Sequence, residues 1–451
     1  MLKANSQTLE ISKNDYSHKQ DSSCLFSEKE RKIYNKWRMR ILLSVILGYA
    51  TFYLCRQNFS MIMPAFMEEF GYTKTQLGFV LTIASVTYGI GKFVNGYFSD
   101  KSNARYFMPV GLFCSALTTF ILGFSESLIF LGAFWVINNW FQSMGWPPVA
   151  RMLTHWFAPK ELGTKWAYGA ASHQVGGAVT LVFTGYLVAE FGWRVAFFIP
   201  AFIAIIVAYI LFNRLRESPK ELGFLPVELY KAQDMSKRDE AEDNLPTAEI
   251  IRKVFLNKNM WYICFANMCL YIVRLGVIFW APLFLKEFKN MPISEAGWHV
   301  AAYELAGLFG GISAGWMSDK IFHGQRGPVG MVFMIALALS LLIFWQLPSD
   351  YIVLNGLMMI LMGIFVYGPQ ILAGVASADF ASKKAIGTAN GLVGTMGYIG
   401  SGISGVCVGV ISDNWGWSAV FMFFIIAAMA GSLFFYLTWE KTSREFKMTG
   451  C

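Results

Sequence analysis

Long apolar runs, each bounded by charged or turn-forming residues, recur from one end of this chain to the other. Most hold twenty or more residues, the length an α-helix needs to cross a bilayer. They predict a dozen spans, near 38–66, 75–98, 106–125, 128–150, 163–190, 193–213, 258–287, 294–317, 328–346, 350–376, 384–411 and 416–438. One long polar interruption, Arg214 to Lys258, contains Ser218-Pro219-Lys220-Glu221 and Lys237-Arg238-Asp239-Glu240 and reads as a solvated linker. It divides the spans six and six: residues 1–37 form a tail, 38–213 one half, 214–257 the linker, 258–438 the second half and 439–451 a short closing tail.

Composition agrees. The 451 residues are 55% hydrophobic and 15% charged, with 40 Phe and 15 Trp, more apolar surface than a water-soluble chain of this length can hide. The net charge of +8 does not point to nucleic acid, because membrane proteins gather Lys and Arg in cytoplasmic loops. Here the even-numbered loops and the tails carry Arg38, Lys101, Arg105, Arg151, Lys160, Lys165, Arg214, Lys320, Arg326, Lys383, Lys384 and Lys441. The opposite loops offer Lys74, Arg194, Lys286 and Lys289, largely beside acids, so both termini are expected in the cytoplasm. The first segment lacks an apolar core of signal-peptide type and reads as a cytosolic tail. Cysteines such as Cys55, Cys114, Cys264, Cys269 and Cys407 sit inside apolar runs without metal-ligand spacing and read as small buried side chains.

The chemistry concentrates in two short stretches. Tyr49, Tyr53 and Arg56 follow i, i+4, i+7 spacing, so they share one face of the run Ile41–Phe66, which reads as a single helix. Asn267, Tyr271 and Arg274 repeat this in Met260–Phe284, and Tyr53-x-x-Arg56 lies 218 positions before Tyr271-x-x-Arg274. Both arginines fall near the middle of their spans, where a guanidinium is expensive and keeps its proton. Other matches keep almost the same interval. Gly96-Tyr-Phe-Ser99-Asp100-Lys101 through Arg105 corresponds to Gly315-Trp-Met-Ser318-Asp319-Lys320 through Arg326. Gly163-Thr164 recurs as Gly387-Thr388, and Gly192-Trp193 with Phe197 recurs as Gly416-Trp417 with Phe421. Their common order and spacing mark an internal duplication, a parallel repeat of two six-helix halves.

The Gly-x-x-Ser-Asp-Lys loop after spans two and eight resembles the signature of the major facilitator superfamily. The Tyr-x-x-Arg pair, Gly145-Trp146-Pro147-Pro148, Ser172-His173-Gln174-Val175-Gly176-Gly177, Tyr303-Glu304-x-Ala306-Gly307 and Tyr367-Gly368-Pro369 resemble the organophosphate:phosphate antiporters within it. The resemblance covers essentially the whole chain after the tail. It implies an all-α membrane protein of twelve transmembrane helices in two pseudo-symmetric six-helix halves, the major facilitator fold, in a bacterial inner membrane. It also implies exchange of an organophosphate for inorganic phosphate. The loop Ser99–Phe107 and the corner Phe224-Leu-Pro226 lean toward the hexose 6-phosphate branch; a glycerol 3-phosphate carrier and a hexose-phosphate sensor of the same fold are the alternatives. Two departures stand out. Where relatives commonly place Lys after the first arginine this chain has Gln57, and where they place Asp-Trp in the seventh helix it has Phe279-Trp280. Losing one cation and one anion together leaves the site's net charge unchanged and bears on how the outer gate is held.

Arg56 and Arg274 are the expected clamp, each offering a planar fork to phosphoryl oxygens. Lys92, on a face with Tyr88 and Asn95, is assigned to the rim of the cavity, although a structural cation near a helix end has the same spacing. His173 lies beside Gly176 and Gly177 and is either a packing histidine or a binding group; the resemblance favours binding. Glu304 either bonds a neighbouring helix or balances the arginines in the empty site. Tyr271, Tyr367, Gln370, Asn390 and Tyr398 are candidate hydroxyl-binding groups, each also ordinary interhelical glue, and Tyr49 and Tyr53 complete the set. The Gly307, Gly311, Gly315 ladder reads as helix packing, and Asp100, Asp319, Arg105 and Arg326 as cytoplasmic latches.

Two midplane cations cost several kcal/mol to enclose without an anion, so the empty carrier is expected to reorient slowly and exchange to be obligatory. A proton symporter would need membrane acids, of which Glu304 and Asp379 are the evident candidates. No catalytic set, metal cluster or phosphate-binding Gly-x-x-x-x-Gly-Lys loop is evident, so neither an enzyme nor direct use of ATP is expected. The expected partners are the organophosphate, inorganic phosphate and the lipid bilayer, with no cofactor, metal or nucleic acid, and a monomer is expected.

Overall fold

A computed structural model describes residues 28–225, 252, 254–381 and 385–439. The helices of the first half are α1 (Glu28–Leu54), α2 (Asn58–Phe70), α3 (Lys74–Lys101), α4 (Ala104–Leu122), α5 (Leu128–Gln142), α6 (Trp146–Trp156), α7 (Pro159–Phe191) and α8 (Val195–Arg214). The second half holds α9 (Lys258–Glu287), α10 (Ile293–Lys320), α11 (Arg326–Gln346), α12 (Ile352–Phe380) and α13 (Ile386–Tyr436). Among the described residues these make twelve crossings: α1 with α2 is the first, α5 with α6 the fourth, and α13 supplies the last two.

The breaks have local causes. Between Ser143 and Gly145 the chain turns, and α6 restarts on Pro147 and Pro148, which have no N–H to continue the ladder. The 51 residues of α13 would reach about 77 Å as one rod, more than twice the hydrocarbon thickness. The chain folds back at Gly416 (φ 76°). Gly192 (φ 81°) does the same between α7 and α8, so the repeated Gly-Trp is a repeated left-handed turn. Its tryptophans repeat too: the Trp193 indole N–H donates to Glu69 (2.5 Å) and that of Trp417 to Glu287 (2.9 Å), acids that are themselves 218 positions apart.

The first span is not the single helix its apolar run predicts. At Cys55 and Arg56 the amides bond three residues back, to Phe52 and Tyr53, and α2 begins at Asn58. The local tightening places Arg56 on a turn, whereas Arg274 sits inside the unbroken α9. The linker also departs from expectation in its first part. Trp156 donates its indole N–H to Arg216 O (3.0 Å), Arg151 pairs with Glu217 (2.5 Å), Asn103 donates to Glu221 (2.9 Å), and Phe224 meets Tyr34 edge-on at 5.4 Å. Leu215, Leu222 and Phe224 are apolar among the charges, and they hold residues 215–225 against α1 and α6. Lys237 to Glu240 lie outside the described residues.

The halves meet along α3 against α13, α7 against α10 and α2 against α9. A Cβ on Gly78 would lie 2.5 Å from Gly405 O, so the α3–α13 seam brings backbone onto backbone. The seam closes at one end. There Lys286 pairs with Glu68 (2.5 Å), Lys74 with Glu287 (3.0 Å), and Thr75 donates through its amide and hydroxyl to Asp413 (2.7 Å each), all between halves. One apolar cluster, including Met61, Phe66, Leu77 and Trp280, runs across both halves. At the other end the ion pairs given among the described residues lie within a half: Arg38 with Glu161, Arg151 with Glu217, and Arg326 with Asp319 and, at 3.4 Å, Asp379. The two remaining apolar clusters are likewise each confined to one half.

Candidate functional site

At the level of Arg56 and Arg274 the two halves enclose a ring of side chains. The Arg56 guanidinium lies 4.1 Å from the Tyr88 ring and 5.6 Å from Tyr53. Tyr88 packs on Tyr398 at 4.8 Å, and Tyr398 on Tyr271 at 5.8 Å. The Arg274 guanidinium lies 5.4 Å from the Tyr271 ring and 4.6 Å from Tyr367. His173 closes the circuit, stacked at 6.1 Å on Tyr53 of the first half and at 6.4 Å on Tyr367 of the second. Each arginine is therefore flanked by two tyrosine faces, which hold a cation in a low-dielectric setting without neutralising it.

Polar contacts cross the ring on one side. Gln57 Nε2 donates to Glu304 Oε1 at 2.9 Å, joining α1–α2 to α10. The other Glu304 oxygen accepts from the Tyr367 hydroxyl, whose oxygen in turn accepts from Arg274 NH2 at 3.0 Å. Tyr303, fully buried, donates to the Arg274 carbonyl at 3.3 Å and fixes that turn of α9. Glu304 is thus a bond to a neighbouring helix and, through Tyr367, linked to Arg274. A small cavity beside Arg56 is lined by Ser85, Tyr88, Phe279, Tyr398 and Ser401, with Ser85 and Ser401 2.9 Å apart across the halves. Phe279, one of the two departures noted in the sequence, presents an apolar ring to this cavity.

Lys92 reaches across to the other half, its ammonium 5.6 Å from the Tyr398 ring. Asn95 turns back into its own half, to Ser143 (2.7 Å) and Trp140 O (3.3 Å). Tyr49 stands behind the ring, edge-on to Tyr53 at 5.8 Å and against Trp146 at 5.0 Å. Gln370, one turn from Tyr367, has its side-chain oxygen buried and unpartnered. Asn390 is exposed and accepts from Ser377 at 2.8 Å, outside the ring. The Nδ1 of His173 is also buried, without a hydrogen-bond partner among the described residues. Gln57 was legible only as a departure from a pattern; its partner required the tertiary structure.

The latch residues differ between halves. Arg326 takes Ser318, Asp319 and Asp379, whereas its counterpart Arg105 lies 4.9 Å over Tyr106 with its Nε buried and unpartnered. The pairing of Asp379 with Arg326 places that acid in the latch. The glycine ladder is also partial: a Cβ on Gly307 would meet Tyr367 at 2.3 Å and one on Gly311 would meet Ile371 at 2.2 Å, but Gly315 faces open space and packs nothing.

Comparison with known proteins places this geometry in context. Residues 45–405 match the profile of the Major Facilitator Superfamily. The chain is 40% identical over 432 residues to a "Probable hexose phosphate transport protein" of Chlamydia muridarum (strain MoPn / Nigg), covering 93% of this chain and 95% of that one. It is 37% identical over 420 residues to the "Glycerol-3-phosphate transporter" of Bacillus subtilis (strain 168), covering 91% and 94%. Among solved structures, a bacterial homologue of the human lysosomal transporter Spinster, inward-facing and unoccupied, superposes with a TM-score of 0.72 at 18% identity, over 89% of this chain and 95% of that one.

Proposed function

This chain belongs to the Major Facilitator Superfamily and, within it, to the organophosphate:phosphate antiporters, and on that premise we propose that it exchanges a hexose 6-phosphate, such as glucose 6-phosphate, for inorganic phosphate. The observation that carries this reading is the ring that joins Arg56 of one half to Arg274 of the other through paired aromatic walls. Arg56, Arg274 and Lys92 face it with Glu304 as counter-charge. A phosphoryl group of about −1.5 to −2 offsets the remaining two positive charges. Arg56 and Arg274 donate to the phosphoryl oxygens as planar forks, His173 donates through Nδ1–H to a neighbouring oxygen, and Gln370 Oε1 accepts from a sugar hydroxyl. Tyr88, Tyr271, Tyr398 and Lys92 form the sugar side, with Asn390 nearer the opening.

Exchange follows from that charge. Without a dianion, closing either end traps two cations in a dry cavity, at a cost of several kcal/mol. With phosphate or its ester bound, the halves rock about the filled site. With both termini in the cytoplasm of a bacterial cell, as the loop charges suggest, the closed seam is the outer one and this conformation faces inward. The chain is read as acting as a monomer, with 38–213 and 258–438 as the moving halves.

The test is counterflow in proteoliposomes made with the full chain. Labelled glucose 6-phosphate is expected to enter phosphate-loaded vesicles and to stay out of phosphate-free ones. Uptake into phosphate-free vesicles would make the chain a symporter, and binding without counterflow would make it a sensor. The similarity to the Bacillus subtilis transporter favours glycerol 3-phosphate as the second reading, and competition between the two esters separates them.

A further inference from the structure

Away from the central site, α4 and α8 leave a groove of about 360 Å³ on the surface that faces lipid. Its walls are apolar: Pro109, Val110 and Phe113 from α4, Ile205, Tyr209 and Phe212 from α8. At its mouth Tyr106 packs on Phe212 at 5.3 Å and carries the Arg105 guanidinium at 4.9 Å. Immediately beyond Phe212 the charge changes. Arg40 NH2 (3.5 Å) and Arg216 NH1 (3.2 Å) converge on one carbonyl, that of Asn213, and both guanidinium groups flank the Trp37 ring, at 4.4 and 5.6 Å. Arg214 joins them and bonds Ser44 at 3.4 Å.

Among the described residues these three arginines bond only neutral acceptors: two backbone carbonyls and a hydroxyl. The C-terminus of α8 supplies roughly half a negative charge against three positive ones, so capping alone leaves most of the charge unbalanced. Arg40 Nε is shielded from water and has no partner, and the same holds for Arg105 Nε at the groove mouth. A buried guanidinium N–H without an acceptor costs free energy that an anion would recover. Three arginines and an apolar channel in register, at the end of a membrane-spanning helix, match one ligand chemistry: a phosphodiester with an acyl chain attached.

We propose that this groove and the Arg40–Arg214–Arg216 cluster form a binding site for one anionic phospholipid, its chain lying between α4 and α8 and its phosphodiester on the guanidinium groups. The site is separate from the central ring and does not rest on the transport assignment. Trp37 supplies a flat face for the glycerol region, and Arg105 closes the groove mouth.

Native mass spectrometry of the full chain, titrated with phosphatidylglycerol or phosphatidylcholine, tests this. The wild-type chain is expected to retain one phosphatidylglycerol in preference to phosphatidylcholine. Arg40→Gln/Arg214→Gln/Arg216→Gln is expected to weaken it by on the order of 100-fold, taking about fivefold for each arginine. Val110→Trp, at an exposed lining position, is expected to reduce occupancy with the arginines intact. A triple removal of charge elsewhere, at exposed cations in or just before the second half, Arg252→Gln/Lys258→Gln/Lys320→Gln, should leave the preference in place. Equal retention of phosphatidylcholine, equal loss in the off-site triple, or displacement of the lipid by excess inorganic phosphate would each overturn the proposal. The last outcome would mark a soluble-anion site.

Discussion

Gln57 Nε2 lies 2.9 Å from Glu304 Oε1, and that bond ties the first half to the second directly beside the two arginines. At the two positions singled out in the sequence, 57 and 279, this chain sets an amide against an acid and a phenyl ring against the cavity. Near the site the halves are therefore joined by neutral or singly charged hydrogen bonds, Gln57–Glu304 and Ser85–Ser401, and among the described residues ion pairs between halves lie farther out, at Lys286–Glu68 and Lys74–Glu287.

Gln57→Leu should leave a Glu304 oxygen buried and unpaired, costing about 1–3 kcal/mol. Combined with Glu304→Met, the loss in thermal stability should be smaller than the sum of the single losses, because neither buried group then lacks its partner. Strictly additive losses would separate the two residues.

Replacing either clamp arginine by lysine keeps the charge and discards the fork. For Arg56→Lys or Arg274→Lys, phosphate counterflow should fall on the order of 100-fold, since charge-assisted bonds of about 1.5–3 kcal/mol each are lost. The variants should elute and melt like the parent. Undiminished exchange by either would remove the phosphate assignment.

His173→Phe keeps a ring between Tyr53 and Tyr367 but deletes the unpartnered Nδ1. Melting temperature should hold within a few degrees, while hexose 6-phosphate affinity drops about tenfold, the worth of one hydrogen bond to a charged group. If affinity is retained, the histidine is a packing residue.

Gly307→Ala and Gly315→Ala lie on one helix and differ in what a methyl would meet. The first drives into the Tyr367 ring and should cost about 1–3 kcal/mol and disturb the Tyr367 bonds to Arg274 and Glu304, with a matching loss of counterflow. The second meets nothing and should be neutral or stabilising by up to about 1 kcal/mol. Equal effects would show that the Tyr367 contact is not what sets the cost.

Much was written in the order of residues alone. Apolar run length fixes the number of crossings, because a helix must satisfy its own backbone in lipid. Repeats set 218 to 224 positions apart, the Tyr-x-x-Arg pair among them, point to two halves, and midspan arginines mark the candidate site, because burying a permanent charge is costly. Local chemistry is less readable where a long apolar run hides a break: nothing in Ile41–Phe66 announces the turn at Arg56. Pairings across the halves were not readable at all. That Gln57 meets Glu304, that His173 lies between Tyr53 and Tyr367, and that Asn95 and Asn390 turn to other partners depend on how two six-helix bodies are set against each other. Helical periodicity assigns a residue to a face, but only packing decides what that face meets.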